Sequence, residues 1–448
     1  MTGEGPSGAL CAARRFCSRG IRSDLSARGG ARDATLSCGQ TRNTGYRPGP
    51  GKTWETMSET NGPVVLDRSS HPISRRNIDP DALKVLYRLA RHGYKAYLVG
   101  GAVRDLLLGK TPKDYDVATD ARPGQIKKLF SNCFLVGRRF RLAHIRFRGG
   151  KIIEVATFRR EADPLSDRPE DPHNTFGTPQ EDAHRRDITI NALFYDISTF
   201  SVIDYVGGLE DMKNRRISVI GDPHTRYRED PVRMWRVLRH AARHGFAIDD
   251  RAGGAIRDLR GLLATCSGAR LYEELNKDLA IGDSARIFNL LMQHGLMSII
   301  LGGIGNLYES DEEARRELVG VMETYDTAVR AGKTAVSAPV AYSLVMWPWA
   351  RRAMKMPVQP GTDRAKHLAD LLDTSGMTIT MPRSVRAAVV HIVLLVDLMM
   401  RMLERGTLRT SIVKRHDYPF AVQVFSLLTQ GSLPEGGDPF LDALACRC

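Results

Sequence analysis

The fold this sequence predicts is an α/β head with a mixed sheet, followed by all-helical neck, body and tail domains. Three observations predict it. Short apolar runs of strand length alternate with helical segments between about residues 79 and 205. After Ile217 the strand signal nearly vanishes, and from about Pro231 onward helical periodicity dominates. A chain of 448 residues is also too long for one ordinary core. The expected divisions are a disordered or non-native extension at 1–74, the head at 75–205, a helical neck at 206–285, and a helical body and tail at 286–448.

Residues 1 to about 70 are rich in Gly, Arg and Ser and lack hydrophobic periodicity, so they are expected to be disordered. Such a segment suits a transit peptide, but Glu4, Asp24 and Asp33 interrupt it, and a natural start at Met57 is the favoured reading. Order begins at Asp79, a helix cap followed by Pro80 in the first turn and Gly93 beyond the end. Leu83, Leu86 and Leu89 or Ala90 supply its apolar face. Ala96–Val99 is a short strand, and Gly100-Gly101 turns it into a helix over Ala102–Leu108, closed by Gly109. Asp114–Thr119 is a strand candidate, Pro123–Phe130 a helix, and His144–Phe147 and Ile152–Phe158 are strands joined by a Gly149-Gly150 turn. Arg159–Arg186 reads as a long polar loop, mobile until substrate binds.

The apolar fraction is 42% and the charged fraction 26%, as in globular proteins. A net charge of +14 favours a polyanionic partner, because each cation that neutralises a phosphate releases a counterion. The seven cysteines form neither a zinc pattern nor a secreted disulfide framework. Free thiols in a reducing, cytoplasmic setting follow. The most apolar stretch, Ala387–Met402, is broken by His391 and Asp397 and reads as a buried helix, so no membrane partner is expected.

Three segments carry chemistry. In Leu98-Val99-Gly100-Gly101-Ala102-Val103-Arg104-Asp105 a strand passes through two glycines into a helix N-terminus, where backbone N–H groups attract phosphate. By itself a Gly-Gly pair is more often only a turn. In Lys113-Asp114-Tyr115-Asp116-Val117, carboxylates at i and i+2 of a strand share a face, repel each other, and so invite a cation such as Mg²⁺. An isolated pair of this kind is more often a solvated strand edge. In Ile152–Phe158, Glu154 interrupts an apolar strand and offers a third carboxylate. Together these groups suit a two-metal site that activates a 3′-hydroxyl and stabilises departing pyrophosphate.

The run Gly100-Gly101…Arg104-Asp105…Asp114-Tyr115-Asp116 resembles the signature of the class II nucleotidyltransferases, the bacterial poly(A) polymerases and tRNA CCA-adding enzymes. The resemblance spans about residues 95–280. It implies a nucleotidyltransferase head in which Asp114 and Asp116 bind Mg²⁺ with help from Glu154, while Gly100, Gly101 and Arg104 surround a triphosphate. Asp182-Ala183-His184-Arg185-Arg186-Asp187-Ile188-Thr189-Ile190-Asn191 is similar to a segment that contacts the incoming nucleotide. This assigns Arg185, Arg186 and Asn191 to the nucleotide and places Asp187 at the edge of the catalytic site. Asp187 is equally able to cap a following helix. Tyr205–Asp211 resembles a structural hinge. Glu229-Asp230-Pro231-Val232-Arg233 resembles a base-selecting motif, in which Asp230 and Arg233 at i, i+3 read adenine or cytosine. Arg236, Arg239 and Arg243 continue a basic face toward nucleotide and RNA. Ala269–Leu275 resembles a motif that stabilises the neck.

Leu135–His144, with Arg138, Arg139 and Arg141 as RNA contacts, is similar to the polyadenylating members rather than the CCA-adding ones. The expected activity is therefore addition of adenylate from ATP to RNA 3′ ends, with Mg²⁺ as cofactor and no protein partner specified. CCA addition to tRNA is the alternative, and the short, non-basic end from Gly436 to Cys448 keeps it open. An inactive RNA-binding protein on the same scaffold is disfavoured by the intact Asp114, Asp116 and Glu154.

Overall fold

A computed structural model describes residues 62–137, 142–160, 176–332, 337–356, 361–407, 409–429 and 438–445. The head is an eight-stranded mixed sheet. Its strands are β1 (Val64–Leu66), β2 (Ala96–Val99), β3 (Asp116–Thr119), β4 (Cys133–Val136), β5 (Leu142–Arg146), β6 (Ile152–Thr157), β7 (Leu193–Asp196) and β8 (Ser201–Asp204). Their order is β1-β8-β7-β2-β3-β6-β5-β4, with β3 and β6 parallel and every other pair antiparallel.

Alternation along the strands divides the side chains between two faces. One face buries Leu98, Val117, Val155, Ile145, Cys133 and Tyr195 beneath α1 (Pro80–Arg91), α2 (Gly101–Leu107) and α3 (Pro123–Leu129). In α1 the buried residues Ala82, Val85, Leu86 and Leu89 recur at helical spacing, and Asp79 caps it by accepting from the N–H groups of Asp81 and Ala82. The opposite face buries Tyr97, Val99, Ala118 and Phe194 against Phe158, Ala183 and Ile220. That cover draws on α4 (Pro179–His184) and the chain beyond the sheet.

Beyond the head come α5 (Gly208–Lys213), α6 (Pro223–Glu229), α7 (Val232–His244), α8 (Asp250–Leu259), α9 (Gly268–Ile281), α10 (Ser284–Gln293), α11 (Met297–Leu301) and α12 (Gly303–Ser310). They are followed by α13 (Glu312–Arg330), α14 (Ala338–Ala353), α15 (Arg364–Asp373), α16 (Arg383–Arg405), α17 (Tyr418–Thr429) and α18 (Pro439–Ala445). One apolar core runs through them from Ile188 to Phe440. The only strands among the described residues here are the short parallel pair Arg216–Ile217 and Ala247–Ile248. No described helix is long and apolar enough to cross a membrane. The expected fold class, a mixed-sheet head followed by helices, is the observed one.

Three local expectations are corrected. Val64–Leu66 lies inside the segment expected to be disordered, but it pairs with β8 because β8 would otherwise expose an unpaired edge. The expected loop Arg159–Arg186 contains α4, which a Thr178–Glu181 capping box starts and Pro179 favours. The strand expected at Asp114 starts only at Asp116, so Asp114 lies in the preceding loop. Residues 1–61, including the expected start at Met57, lie outside the described residues.

Candidate active site

The sheet builds the site at the centre of the head. Asp116 begins β3, and the parallel register sets Glu154 of β6 directly beside it. Directly paired residues point to the same face, so these two carboxylates meet on the face carrying Val99 and Phe194. Asp114 joins them from the loop. Asp116 stands at the open mouth of the site, yet the protein crowded around its carboxyl, reinforced by Glu154, pushes it up to about 6. Arg186 opposes that shift, and Asp114 adds to it. Glu154 also reaches His144 on β5, with Nε2 3.4 Å from Oε1.

This donor set suits a divalent cation: mutual repulsion and desolvation both disfavour the ionised Asp116, and a cation between the carboxylates removes both penalties. Among the described residues no group of three or more His, Cys, Asp or Glu side chains is gathered as a metal site. Mg²⁺ is commonly held by one or two carboxylates, with water and substrate phosphates completing its shell.

The glycine turn sits beside the carboxylates. Gly100 adopts φ +69°, a conformation that favours glycine, and a Cβ there would crowd Arg186 Nη1 at 3.3 Å. Arg104, expected at the triphosphate, is instead turned inward and is 2% exposed. Its Nε and Nη2 donate to Asp105 Oδ1 at 2.9 and 2.8 Å, and its Nη1 donates to Asn191 Oδ1. Its position in the first turns of α2 sends the side chain back into the core, so it orients Asn191 rather than meeting a ligand.

Asp182 was not singled out by sequence reasoning, yet it arranges both neighbouring arginines. Arg186 Nη2 donates to its Oδ2 at 3.0 Å, and Arg185 Nη1 lies 3.4 Å from its Oδ1. Its i+3 and i+4 spacing on a short helix was the available signal. Arg186 also donates to the Asn191 carbonyl at 3.1 Å. Asp187 does not cap a regular helix: its Oδ1 accepts from the Ile188 N–H, a single 3₁₀ turn follows at Thr189–Asn191, and its Oδ2 pairs with Arg236 at 2.7 Å. The amide nitrogen of Asn191 lies 3.3 Å from His240 Nε2 on α7.

The base-selecting pair is differently wired than the i, i+3 spacing suggested. Asp230 lies just outside α7, where its Oδ1 accepts from the Val232 N–H at 3.2 Å. Its Oδ2 accepts from Arg270 of α9 at 2.7 Å. Arg233 donates to Glu229 Oε2 at 2.8 Å and to the Arg226 carbonyl at 3.0 Å. Arg226 in turn donates to the carbonyls of Arg185 and Arg186 at 2.9 and 3.1 Å. The break between helices α6 and α7 at Asp230-Pro231 places the two side chains off the common helical face.

Arg239, expected at RNA, is 6% exposed and belongs to a buried network. It pairs with Asp278 and Glu274 of α9, while Trp235 Nε1 donates to Asp278 Oδ2 at 2.6 Å. Helical periodicity places Trp235 and Arg239 at i, i+4 on the face turned to α9, which removes Arg239 from solvent. Arg138, Arg139 and Arg141 lie outside the described residues.

Carboxylates at the centre of a mixed sheet, with a glycine turn and an arginine shell beside them, are the arrangement of a nucleotidyltransferase head. Family models match the chain as "Poly A polymerase head domain" over residues 96–218 and "Probable RNA and SrmB- binding site of polymerase A" over residues 245–305. The chain is 42% identical to poly(A) polymerase I of Escherichia coli over 336 residues, which is 71% of this chain and 72% of that protein. It is 39% identical to a CCA-adding enzyme of Bacillus pumilus over 196 residues, 44% of this chain and 48% of that one. Among solved structures, the Bacillus stearothermophilus CCA-adding enzyme in complex with CTP is similar, with a TM-score of 0.59 and 25% identity. That match covers 83% of this chain and 82% of that one. The chain belongs to the poly(A) polymerase family of nucleotidyltransferases.

Proposed function

We propose that this protein is a template-independent polynucleotide adenylyltransferase, transferring adenylate from ATP to RNA 3′ ends. The observation that carries the reading is the register-aligned pair Asp116–Glu154 beside Asp114, in a chain 42% identical over 71% of its length to a poly(A) polymerase I. Bound Mg²⁺ would supply charge neutralisation at the reacting phosphate and lower the pKa of the attacking hydroxyl.

The chain's own residues perform the remaining work. Asp114 and Asp116 would hold the metal ions, with Glu154 completing the carboxylate set. Arg185 and Arg186, held by Asp182, direct positive charge at the triphosphate, and the Gly100-Gly101 turn lets it approach. Asp187, Arg236 and Asn191 frame the nucleotide, and Asp230 with Arg233 reads the base edge. Asp230 accepts from an exocyclic amine, which adenine has and uracil lacks. Arg270 aims that carboxylate, and Glu229 aims the guanidinium of Arg233. Because these donors are already engaged by protein partners, little reorganisation remains at the moment of reaction.

The division of the head, beginning at β1, from the helices is proposed on the separation of the two head clusters from the long helical core; neck (206–285) and body with tail (286–448) share that core, and their boundary is proposed from the sequence pattern. A cytoplasmic setting is proposed from the unpaired thiols of Cys133 and Cys266.

Primer extension tests the activity. A generic RNA and a tRNA lacking its terminal CCA are each incubated with ATP, CTP, or both. A long adenylate ladder on the generic RNA with ATP alone is expected. Addition limited to three nucleotides on the tRNA, starting with CTP, would make CCA addition the activity.

A further inference from the structure

The face of the sheet that carries the carboxylates is covered over only half its width. Over β7, β2 and β3 it is buried against Phe158, Ala183 and Ile220. Over β5, β4 and the Ile152–Glu154 end of β6 its described residues are exposed or half-buried. Successive registers pair Asp116 with Glu154, Glu154 with His144, and His144 with Phe134. A single cross-strand row therefore leads from the catalytic aspartate to the edge strand, every member on one face. At a strand spacing of about 4.8 Å, Phe134 lies three strands out, roughly 14 Å from Asp116.

This open half is apolar and basic together. Phe134 is 48% exposed, Val136 45% and Ile152 40%. Large side chains left in water beside one another mark a binding surface. Two cations flank the Phe134 ring: the Arg146 guanidinium carbon lies 4.8 Å from its centroid and the Lys127 amine 5.4 Å. Arg146 pairs with Ile152 in the neighbouring row of the same face. An exposed ring between cations matches the combination that single-stranded nucleic acid requires, with aromatic surface for bases and positive charge for phosphates.

We propose that this half-sheet is the platform for the acceptor RNA's 3′-terminal segment. One base stacks on Phe134, and Arg146 and Lys127 turn to the phosphates. The proposal rests on the polymerase reading above and specifies the path of its acceptor. It places the terminal nucleotide at Glu154 and Asp116, with the strand running outward over His144 toward β4. At a stacked rise of about 3.4 Å per nucleotide, roughly 14 Å is about four steps from the terminal nucleotide, which puts about the fifth nucleotide from the 3′ end on Phe134.

The test uses the full chain with an unstructured 20-nucleotide RNA and ATP. Phe134→Ala is expected to raise the KM for RNA about tenfold, while the KM for ATP stays within about twofold. Phe134→Tyr is expected to restore RNA binding, because it retains the ring. A 4-thiouridine placed fifth from the 3′ end is expected to crosslink to residues 133–136 or 142–146 of the wild-type protein. An unchanged RNA KM in Phe134→Ala, as expected of a face that docks another protein, would overturn the platform and leave the polymerase reading intact. A crosslink confined to the helical domains would do the same. Failure of the wild-type chain to add adenylate to any RNA would overturn the polymerase reading itself.

Discussion

At the scale of single residues, the proposed chemistry rests on carboxylates that repel one another across the β3–β6 pair. Asp116 is pushed up to about 6 by crowding and by Glu154, a cost that a metal ion or a cationic substrate complex offsets. Asp116→Ala is expected to lower adenylate incorporation by about a thousandfold, the scale of losing metal-assisted charge stabilisation. Its thermal unfolding midpoint is expected to stay at or above the wild-type value, because a strained carboxylate has been removed. Incorporation within tenfold of wild type would remove the two-metal reading. Arg270 makes a different kind of contribution. It touches Asp230 and, on this reading, never the substrate, so it is a positioning residue. Arg270→Met is expected to lower kcat/KM for ATP about tenfold and to narrow the preference for ATP over UTP. Competition assays with both nucleotides measure this directly.

At the scale of elements, the junction of α7 with α9 holds a buried charge cluster. Arg239 joins Asp278 and Glu274 away from water, so Arg239→Met leaves two carboxylates buried beside a neutral side chain. A loss of about 3 kcal/mol in a denaturant titration is expected. A surface role at RNA predicts almost no loss. His240 and His244, one turn apart on α7, stack with centroids 6.0 Å apart. Burial, followed by Arg104, Arg236, Arg239 and Arg243, holds His240 well below the usual imidazole range. Burial, then Arg104, His240, Lys110 and Arg243, pushes His244 down to about 2.

The sign of the pH effect follows from these shifts. Above pH 6.5 both histidines are neutral whether the chain is folded or not, so they impose no penalty. Below it the unfolded chain takes up protons that the folded chain refuses, and stability falls until the folded values are reached. Each histidine contributes up to about 1.4 kcal/mol per pH unit in that window. Thermal melts at pH 7.5 and 5.5 are expected to differ less in His244→Phe than in wild type. An equal difference would place the acid sensitivity elsewhere.

At the scale of the whole molecule, a net charge of +14 acts on a polyanionic acceptor far more than on a single nucleotide. Each phosphate contact with a single strand adds about 0.7 to the slope of log affinity against log salt. The KM for RNA is expected to rise severalfold between 50 and 200 mM KCl, while the KM for ATP changes little. Parallel titrations of both substrates check this, and equal slopes would place the basic surface outside the acceptor path. The same scale shows the asymmetry of the head sheet: its β7, β2 and β3 side is buried, while Phe134 and Val136 of β4 are exposed.

What this sequence determined alone was whatever depends on local pattern. Asp79 and Pro80 started α1, Gly100 and Gly101 turned β2 into α2, and the shift from short strands to long helical periods separated head from helices. Asp114, Asp116 and Glu154 stood out as candidates because carboxylates in apolar or strand-like surroundings contrast with their neighbours. Tertiary structure decided what each charged side chain faces. The alignment of Glu154 with Asp116 is a register between strands 38 residues apart, which no local spacing encodes. Arg104, Arg239 and Arg236 looked alike as basic residues on helices, yet the first two are buried against Asp105 and Asp278, and the third pairs with Asp187. Helical spacing suggested that Asp230 reaches Arg233, but the break before Pro231 and the approach of α9 gave it to Arg270 instead. A carboxylate or guanidinium takes whichever partner packing brings within about 3 Å, and burial removes the option of water. Sequence can therefore specify which charges are present, while only the packed chain specifies which of them meet.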